Sequence, residues 1–331
     1  RTRPKRSRSP SRTGPSWRAW PGDARRSIRL ADPGADLAAR LAELTDEPRG
    51  LLLSRTFRGR EVLVRVGVEV AGGGFRVHVR VAATCFPRYA RRLDELGFGA
   101  ADLDRLRRLA RGDIGLSNGM CKGTILFVGP ADSGIEDTLR SFALEAFDLL
   151  DQVVLAVERF VEAELPGVVH FEASDGPLVD LLQGIYRHDP DVLLLTRLEG
   201  DEVRLALQGY PLVLASLVAE DAASALESIA SRTDPDQIHA LEAILVQRRI
   251  RTTCRSCLGK GCDACEGSGH GGRMPIVSLV RFDRYFVDGK GAIDDPRLLL
   301  RDHTLVSLRQ SALDAVREGL TTLEEALALP D

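Results

Sequence analysis

The chain has 331 residues, 44% hydrophobic and 28% charged, with a formal net charge of −3. That is an ordinary soluble composition with room for two or three domains. No apolar run approaches the roughly 18 residues a membrane span needs and no secretory h-region is present, so a cytoplasmic protein is expected.

Residues 1–29 hold ten Lys or Arg and one acid, Asp23, among prolines and serines, which leaves −12 for the remainder. This basic arm, residues 1–30, is expected to be disordered and solvated. Trp17 and Trp20 lie within it. From Gly50 to Ala83 the pattern is β: Val62, Val64 and Val66 alternate with Leu63 and Arg65, and after a glycine turn Val77, Val79 and Val81 alternate with His78 and Arg80. A small antiparallel sheet is expected, with His78 on its surface. A helical pair follows from about residue 87 to 111, with Leu93, Leu96, Leu103, Leu106 and Leu109 on a common face.

Residues Gly123 to Phe147 read as a buried strand, a glycine loop and a helix. That is the layout of a phosphate-binding loop, G-x-x-x-x-G-K-[ST], in which backbone amides cradle phosphates and the lysine reaches the terminal ones. Gly129, Ser133 and Gly134 keep the loop, whereas Ile135 stands at the lysine position and Glu136 at the hydroxyl position that would hold Mg²⁺. A unit charge pair 4 Å apart is worth about 4 kcal/mol near a protein surface, so exchanging a cation for a carboxylate outweighs a few amide hydrogen bonds. Binding of Mg-ATP is therefore doubtful, and the Glu136 carboxylate suits the positive end of the helix dipole.

Apolar segments at Val153–Val157, Val168–Phe171, Asp191–Thr196 and Leu212–Leu217 follow, interleaved with helices that include about Ala219–Ser231 and Asp236–Arg249. Short strands buried on both faces and alternating with helices imply a mostly parallel sheet.

Cys254-x2-Cys257-x4-Cys262-x2-Cys265 holds two C-x-x-C pairs. Each pair forms a knuckle presenting two thiolates, and two knuckles complete the tetrahedron of a structural zinc site. Gly259, Gly261, Gly267 and Gly269 recur at matching offsets and permit the positive φ that such knuckles use. Four sulfurs leave no open coordination position, which argues against catalysis at this metal. Cys85 and Cys121 are isolated thiols.

Several stretches resemble the type II secretion and type IV pilus assembly ATPases. RHDPDVLLLTRLEGDE is similar to that family's L-R-x-D-P-D and G-E-I-R-D-x-E-T region, and GYPLVLASLVAEDAASAL to its histidine-containing segment. AVERFVEA resembles T-I-E-D-P-V-E, AILVQRRIRTTC resembles Q-R-L-V-R-x-L-C, GCDACEGSGHGGR resembles its second cysteine pair, and LRQSALDAVREGLTTLEEALAL its closing motif. The matches run in the family's order from roughly Leu93 to Leu329.

The departures are as systematic. The family's water-polarising glutamate falls on Arg197, preceded by Thr196 in place of glycine. Of the acidic pair, Glu158 survives and Arg159 replaces the aspartate. The two histidines fall on Tyr210 and Val218; Gln183 replaces one arginine and Arg187 keeps the other, while Asp189, Pro190, Asp191 and Glu202 remain. The resemblance thus implies vestigial nucleotide-binding positions at Gly129, Ser133, Gly134, Ile135, Glu136, Glu158 and Arg187, and no catalytic residue, its position being held by Arg197.

It also implies a RecA-like α/β domain over residues 113–250, preceded by a truncated N-terminal α+β domain and linker (31–112). A tetracysteine zinc element (251–275) with a spacer shorter than the family's, and a helical C-terminal subdomain (276–331), complete the chain. The implied role is a catalytically inactive structural or regulatory subunit, docked on active motor subunits or on an inner-membrane platform protein, in a homo- or hetero-hexamer. An active secretion or pilus ATPase and a zinc-dependent binding module are the rival readings. The charge of −12 outside the arm speaks against specific nucleic-acid binding.

Overall fold

The computed structural model describes residues 51–57, 60–71, 74–83, 90–113, 122–149, 151–158, 161, 163–173, 178–208, 211–233, 238, 240–282 and 296–329. The basic arm, Cys85, Cys121, Arg159 and Tyr210 lie outside these residues. The chain divides into two compact units, residues 1–86 and 87–331. The first holds an antiparallel meander, β1 (Leu51–Phe57), β2 (Arg60–Ala71) and β3 (Gly74–Ala83), in sheet order 1-2-3. Its register pairs Val64 with Val81, Val66 with Val79 and Val68 with Val77, so valine positions of the two strands share one register.

The second unit is built on eight strands: β4 (Gly123–Gly129), β5 (Val154–Glu158), β6 (Val169–Glu172), β7 (Val192–Leu198), β8 (Leu212–Val218), β9 (Leu241–Thr253), β10 (His270–Arg281) and β11 (Thr304–Val306). Their order is β11-β10-β9-β4-β8-β7-β5-β6. The pairs from β9 through β6 are parallel, while β10 lies antiparallel to both β9 and β11. The expected mostly parallel α/β sheet is borne out.

Helices cover both faces. One carries α1 (Ala100–Ala110) and α2 (Ile135–Ala146), where Leu106, Leu109, Leu139 and Phe142 pack on Ile125 and Phe127. Phe127 and Phe142 meet edge to face with ring centroids 5.4 Å apart. The other carries α3 (Leu178–Ile185), α4 (Glu202–Ala206), α5 (Ala222–Ala230), α6 (Pro296–His303), α7 (Leu308–Arg317) and α8 (Leu323–Leu327). Leu182, Leu226, Leu308 and Ala326 join its apolar layer.

Two expectations fail here. The segment Asp236–Arg249, read as helix, contains the start of the long strand β9. Its Ala, Leu and Glu favour a helix, but Ile244 and Val246 are buried beside β4, and packing overrides propensity. Nor is every strand buried on both faces: β6 is the sheet edge, with Val169 and Glu172 exposed.

Side chains lock the C-terminal helices to the rest of this unit. The buried Asp102 carboxylate accepts from Arg105, from the Ser311 hydroxyl and from the Val277 amide, and Arg105 also reaches Asp314. Glu318 accepts from the amides of Ala100 and Ala101 at 2.8 and 3.0 Å, supplying α1 with the cap that Gly99 lacks.

Candidate functional site

β4 delivers the chain to Gly129, and the loop turns through Asp132 (φ 68°) and Gly134 (φ 85°) into α2. The positive φ at 134 favours glycine, and a Cβ there would stand 2.7 Å from the mobile end of Arg249, at Nη2. The loop's backbone course is thus that of a phosphate cradle, held from behind by Gln247. The Gln247 amide nitrogen donates to the Ser133 carbonyl at 2.8 Å, and its oxygen accepts from the Thr138 hydroxyl at 2.7 Å.

The side chains present a different chemistry. Ile135, at the lysine position, is 5% exposed, and its Cγ2 lies 2.9 Å from where a Cβ on Gly129 would stand. It packs into the loop's base instead of reaching over it. Glu136 pairs with Arg197: the guanidinium Nη2 and Nε lie 3.1 and 3.2 Å from Glu136 Oε1. Arg197 adopts φ 62° at a shift in the β7–β8 register, and its amide donates to the Ser216 hydroxyl at 2.7 Å. Left-handed backbone at a non-glycine residue is costly, and here it directs the guanidinium across to α2. The two positions from which the family resemblance expects a metal ligand and a water-orienting base therefore bind each other.

Among the described residues neither Glu158 nor Arg187 pairs with the loop. Glu158 is 1% exposed at the end of β5 and accepts from Arg140 Nε of α2 at 3.0 Å, a buried ion pair beneath the site. Arg187 is exposed in the 3₁₀ turn Tyr186–His188, and among the described residues no ion pair links it to the loop. The sequence reading missed Gln247 and Arg249, both from β9; the signal was the Q-R-L-V-R match, obscured by the helical assignment. Arg249 is exposed and brings a cation to Gly134 that the loop itself lacks.

Mg-ATP does not fit these side chains in the manner the loop motif implies, because neither the lysine nor the hydroxyl is present and Glu136 is already paired.

The four cysteines lie at the tip of the β9–β10 hairpin, where Thr253 pairs with His270. Their sulfurs all lie within 4.8 Å of one another, with Cys254–Cys262, Cys257–Cys265 and Cys262–Cys265 separations of 3.9, 3.7 and 3.7 Å. Four thiolates 2.3 Å from a tetrahedral zinc stand about 3.8 Å apart, so the donor set fits. The short spacer is accommodated by a quasi-twofold arrangement. A Cβ on Gly261 would strike the Gly267 carbonyl at 2.7 Å, and one on Gly269 the Gly259 carbonyl at 2.5 Å. The knuckles also point amides at sulfur: Gly261 N donates to Cys257 Sγ and Gly269 N to Cys265 Sγ, each at 3.2 Å. Backbone hydrogen bonds, from Cys262 and then Gly269, draw the Cys265 thiol down to about 6, whereas burial and the neighbouring thiols push Cys257 up to about 11. If all four were deprotonated, thiolates at this spacing would repel one another unless a cation stood between them.

A model of the type II/IV secretion system protein family matches residues 48–328. Type II secretion system protein HxcR of Pseudomonas aeruginosa is 31% identical over 290 residues, covering 81% of this chain and 59% of that protein. Type II secretion system protein E of Aeromonas hydrophila is 29% identical over 321 residues, 85% of this chain and 61% of the relative. The type IV pilus assembly ATPase PilB of Thermus thermophilus is 27% identical over 279 residues, 71% of this chain and 30% of its own length. The chain thus spans about three-fifths of the type II relatives it matches. Among solved structures, the Legionella pneumophila ATPase DotB superposes with a TM-score of 0.61 at 14% identity, covering 87% of this chain and 78% of DotB. The pilus retraction motor PilT with bound ADP gives 0.56 at 19% identity, over 93% and 91% of the two chains. These likenesses agree with the RecA-like sheet, and the chain belongs to the type II/IV secretion system protein family.

Proposed function

We propose that this chain is a non-hydrolysing member of its family, a structural or regulatory subunit of a type II secretion or type IV pilus-like assembly. The Glu136–Arg197 ion pair is the observation that carries this reading. It ties up, in one contact, the positions where catalysis needs a metal ligand and a base, and the parts of a phosphoryl-transfer site act only together. The backbone of the loop persists because the fold needs it: Gln247 fastens it to β9 and Ile135 fills its base. The partners proposed are active motor subunits or an inner-membrane platform protein, with the chain seated as one subunit of a homo- or hetero-hexameric ring on the cytoplasmic side. The four cysteines hold a structural Zn²⁺, and no specific nucleic-acid partner is part of the reading.

Calorimetry with Mg-ATP on the purified chain tests it. Affinity weaker than about millimolar, or about −4 kcal/mol, with turnover at background is expected; micromolar affinity overturns the reading. Ile135→Lys with Glu136→Thr is expected to recover some affinity and little hydrolysis, because Arg197 remains. The rival is an active secretion or pilus ATPase, and Arg249 beside Gly134 favours it by bringing a cation to the loop. Turnover that Arg249→Ala abolishes would establish that rival.

A further inference from the structure

The two cysteine knuckles repeat with an offset of eight residues, down to their backbone. Leu258 and Glu266 hold corresponding positions with φ 52° and 50°, each followed by a left-handed glycine, Gly259 at 89° and Gly267 at 76°. Glu266 demonstrates that the knuckle accepts a charged side chain there, so the metal fold itself does not call for a leucine. Yet Leu258 is 77% exposed, the most exposed large apolar side chain among the described residues. Arg255 and Lys260 flank it, both exposed, whereas the second knuckle presents Asp263 and Glu266.

A second unpartnered apolar patch lies on α8. Leu323 and Leu327, one helical turn apart, are 53% and 57% exposed, and the exposed Glu324 lies beside them. Glu325 is engaged elsewhere, with Arg251, and Ala326 is turned inward. One patch is apolar and basic, the other apolar and acidic. Both are exposed in the same chain, so neither covers the other.

We propose that the first zinc knuckle of one copy docks on α8 of a second copy, with Leu258 between Leu323 and Leu327, and Arg255 and Lys260 facing Glu324. The contact is heterologous, so it joins copies head to tail as a ring or a filament requires. The proposed contact involves one leucine of the knuckle and a single turn of α8, so it is expected to be weak between two free chains and to add to other contacts within an assembly.

Sedimentation velocity on the full zinc-loaded chain, at concentrations rising toward millimolar, tests the proposal. The wild type is expected to associate, and Leu258→Glu to weaken association about tenfold or more. Zinc content is measured on every variant, and Glu266 is the internal precedent that Leu258→Glu folds. Lys260→Glu and Glu324→Lys are each expected to weaken association, because like charges then meet. An equimolar mixture of the two is expected to regain it, because the carboxylate introduced on the knuckle of one variant faces the ammonium introduced on α8 of the other. A mixture that associates no better than either variant alone overturns the proposal. So does unchanged association of zinc-loaded Leu258→Glu, a wild type that stays monomeric throughout, or a knuckle that captures a different protein while α8 substitutions have no effect.

Discussion

Single residues decide what the loop is. Charges that the family resemblance reads as nucleotide contacts are consumed internally, Glu136 by Arg197 and Glu158 by Arg140. The second pair is the more consequential for stability, because both partners are at most 2% exposed. Removing one partner of a buried pair strands the other in low dielectric and costs about 3–5 kcal/mol. Arg140→Met is therefore expected to lower unfolding stability in urea by about that amount. If Glu158 faced a ligand instead, the substitution would alter anion binding and leave the urea midpoint in place. The pair Glu136–Arg197 is partly exposed, so its loss is expected to cost little stability.

At the scale of elements, the β9–β10 hairpin joins the sheet core to the cysteine tip. Residues 241–250 are largely buried and pair along β4 and β10, whereas the tip between Cys254 and Gly269 is glycine-rich and exposes Leu258. A segment with so little apolar burial folds on its metal. One zinc per chain is the expected stoichiometry by elemental analysis of untagged protein. Chelation is expected to open the tip to proteolysis near Gly267 while the sheet stays folded, because the ladder from Arg251 inward does not depend on the sulfurs. Cys257→Ser that leaves cleavage near Gly267 unchanged would remove the zinc assignment.

Across the whole molecule, carboxylates fasten the C-terminal helices. Burial raises the Glu325 carboxyl, but the hydrogen bonds from Arg251 outweigh it and hold it below its ordinary 4.5; Asp314, likewise opposed by burial, is held below 3.8 by Arg105. A depressed carboxylate adds stability above its ordinary pKa, and that stability is lost as pH falls through the folded value. The docking of α7 and α8 is therefore expected to weaken as the pH falls below these ordinary values, read as a lower amide-exchange protection factor, corrected for the intrinsic rate at each pH, at Thr253, whose N–H donates to Leu320 O. Asp102 in the same network runs the other way: burial is the largest influence and raises it, so its protonation on acidification favours the folded state and partly offsets that loss.

The α/β class, the position of most core strands along the chain and the cysteine tetrad were legible in the sequence, because hydrophobic runs and C-x-x-C spacing are local signals. The loop's lost lysine and hydroxyl were legible for the same reason. What occupies their place was not. Arg197, Glu136 and Arg249 lie on three elements far apart in sequence, and only the parallel order β9-β4-β8-β7 brings them to one edge of the loop. The strand identity of residues 241–253 was equally hidden, since Leu, Glu and Ala in isolation favour a helix and only burial beside β4 makes them a strand. Composition and spacing determined which groups this protein carries; long-range pairing decided which of them meet, because a charge is neutralised by what lies about 3 Å away in space and not by its neighbours along the chain.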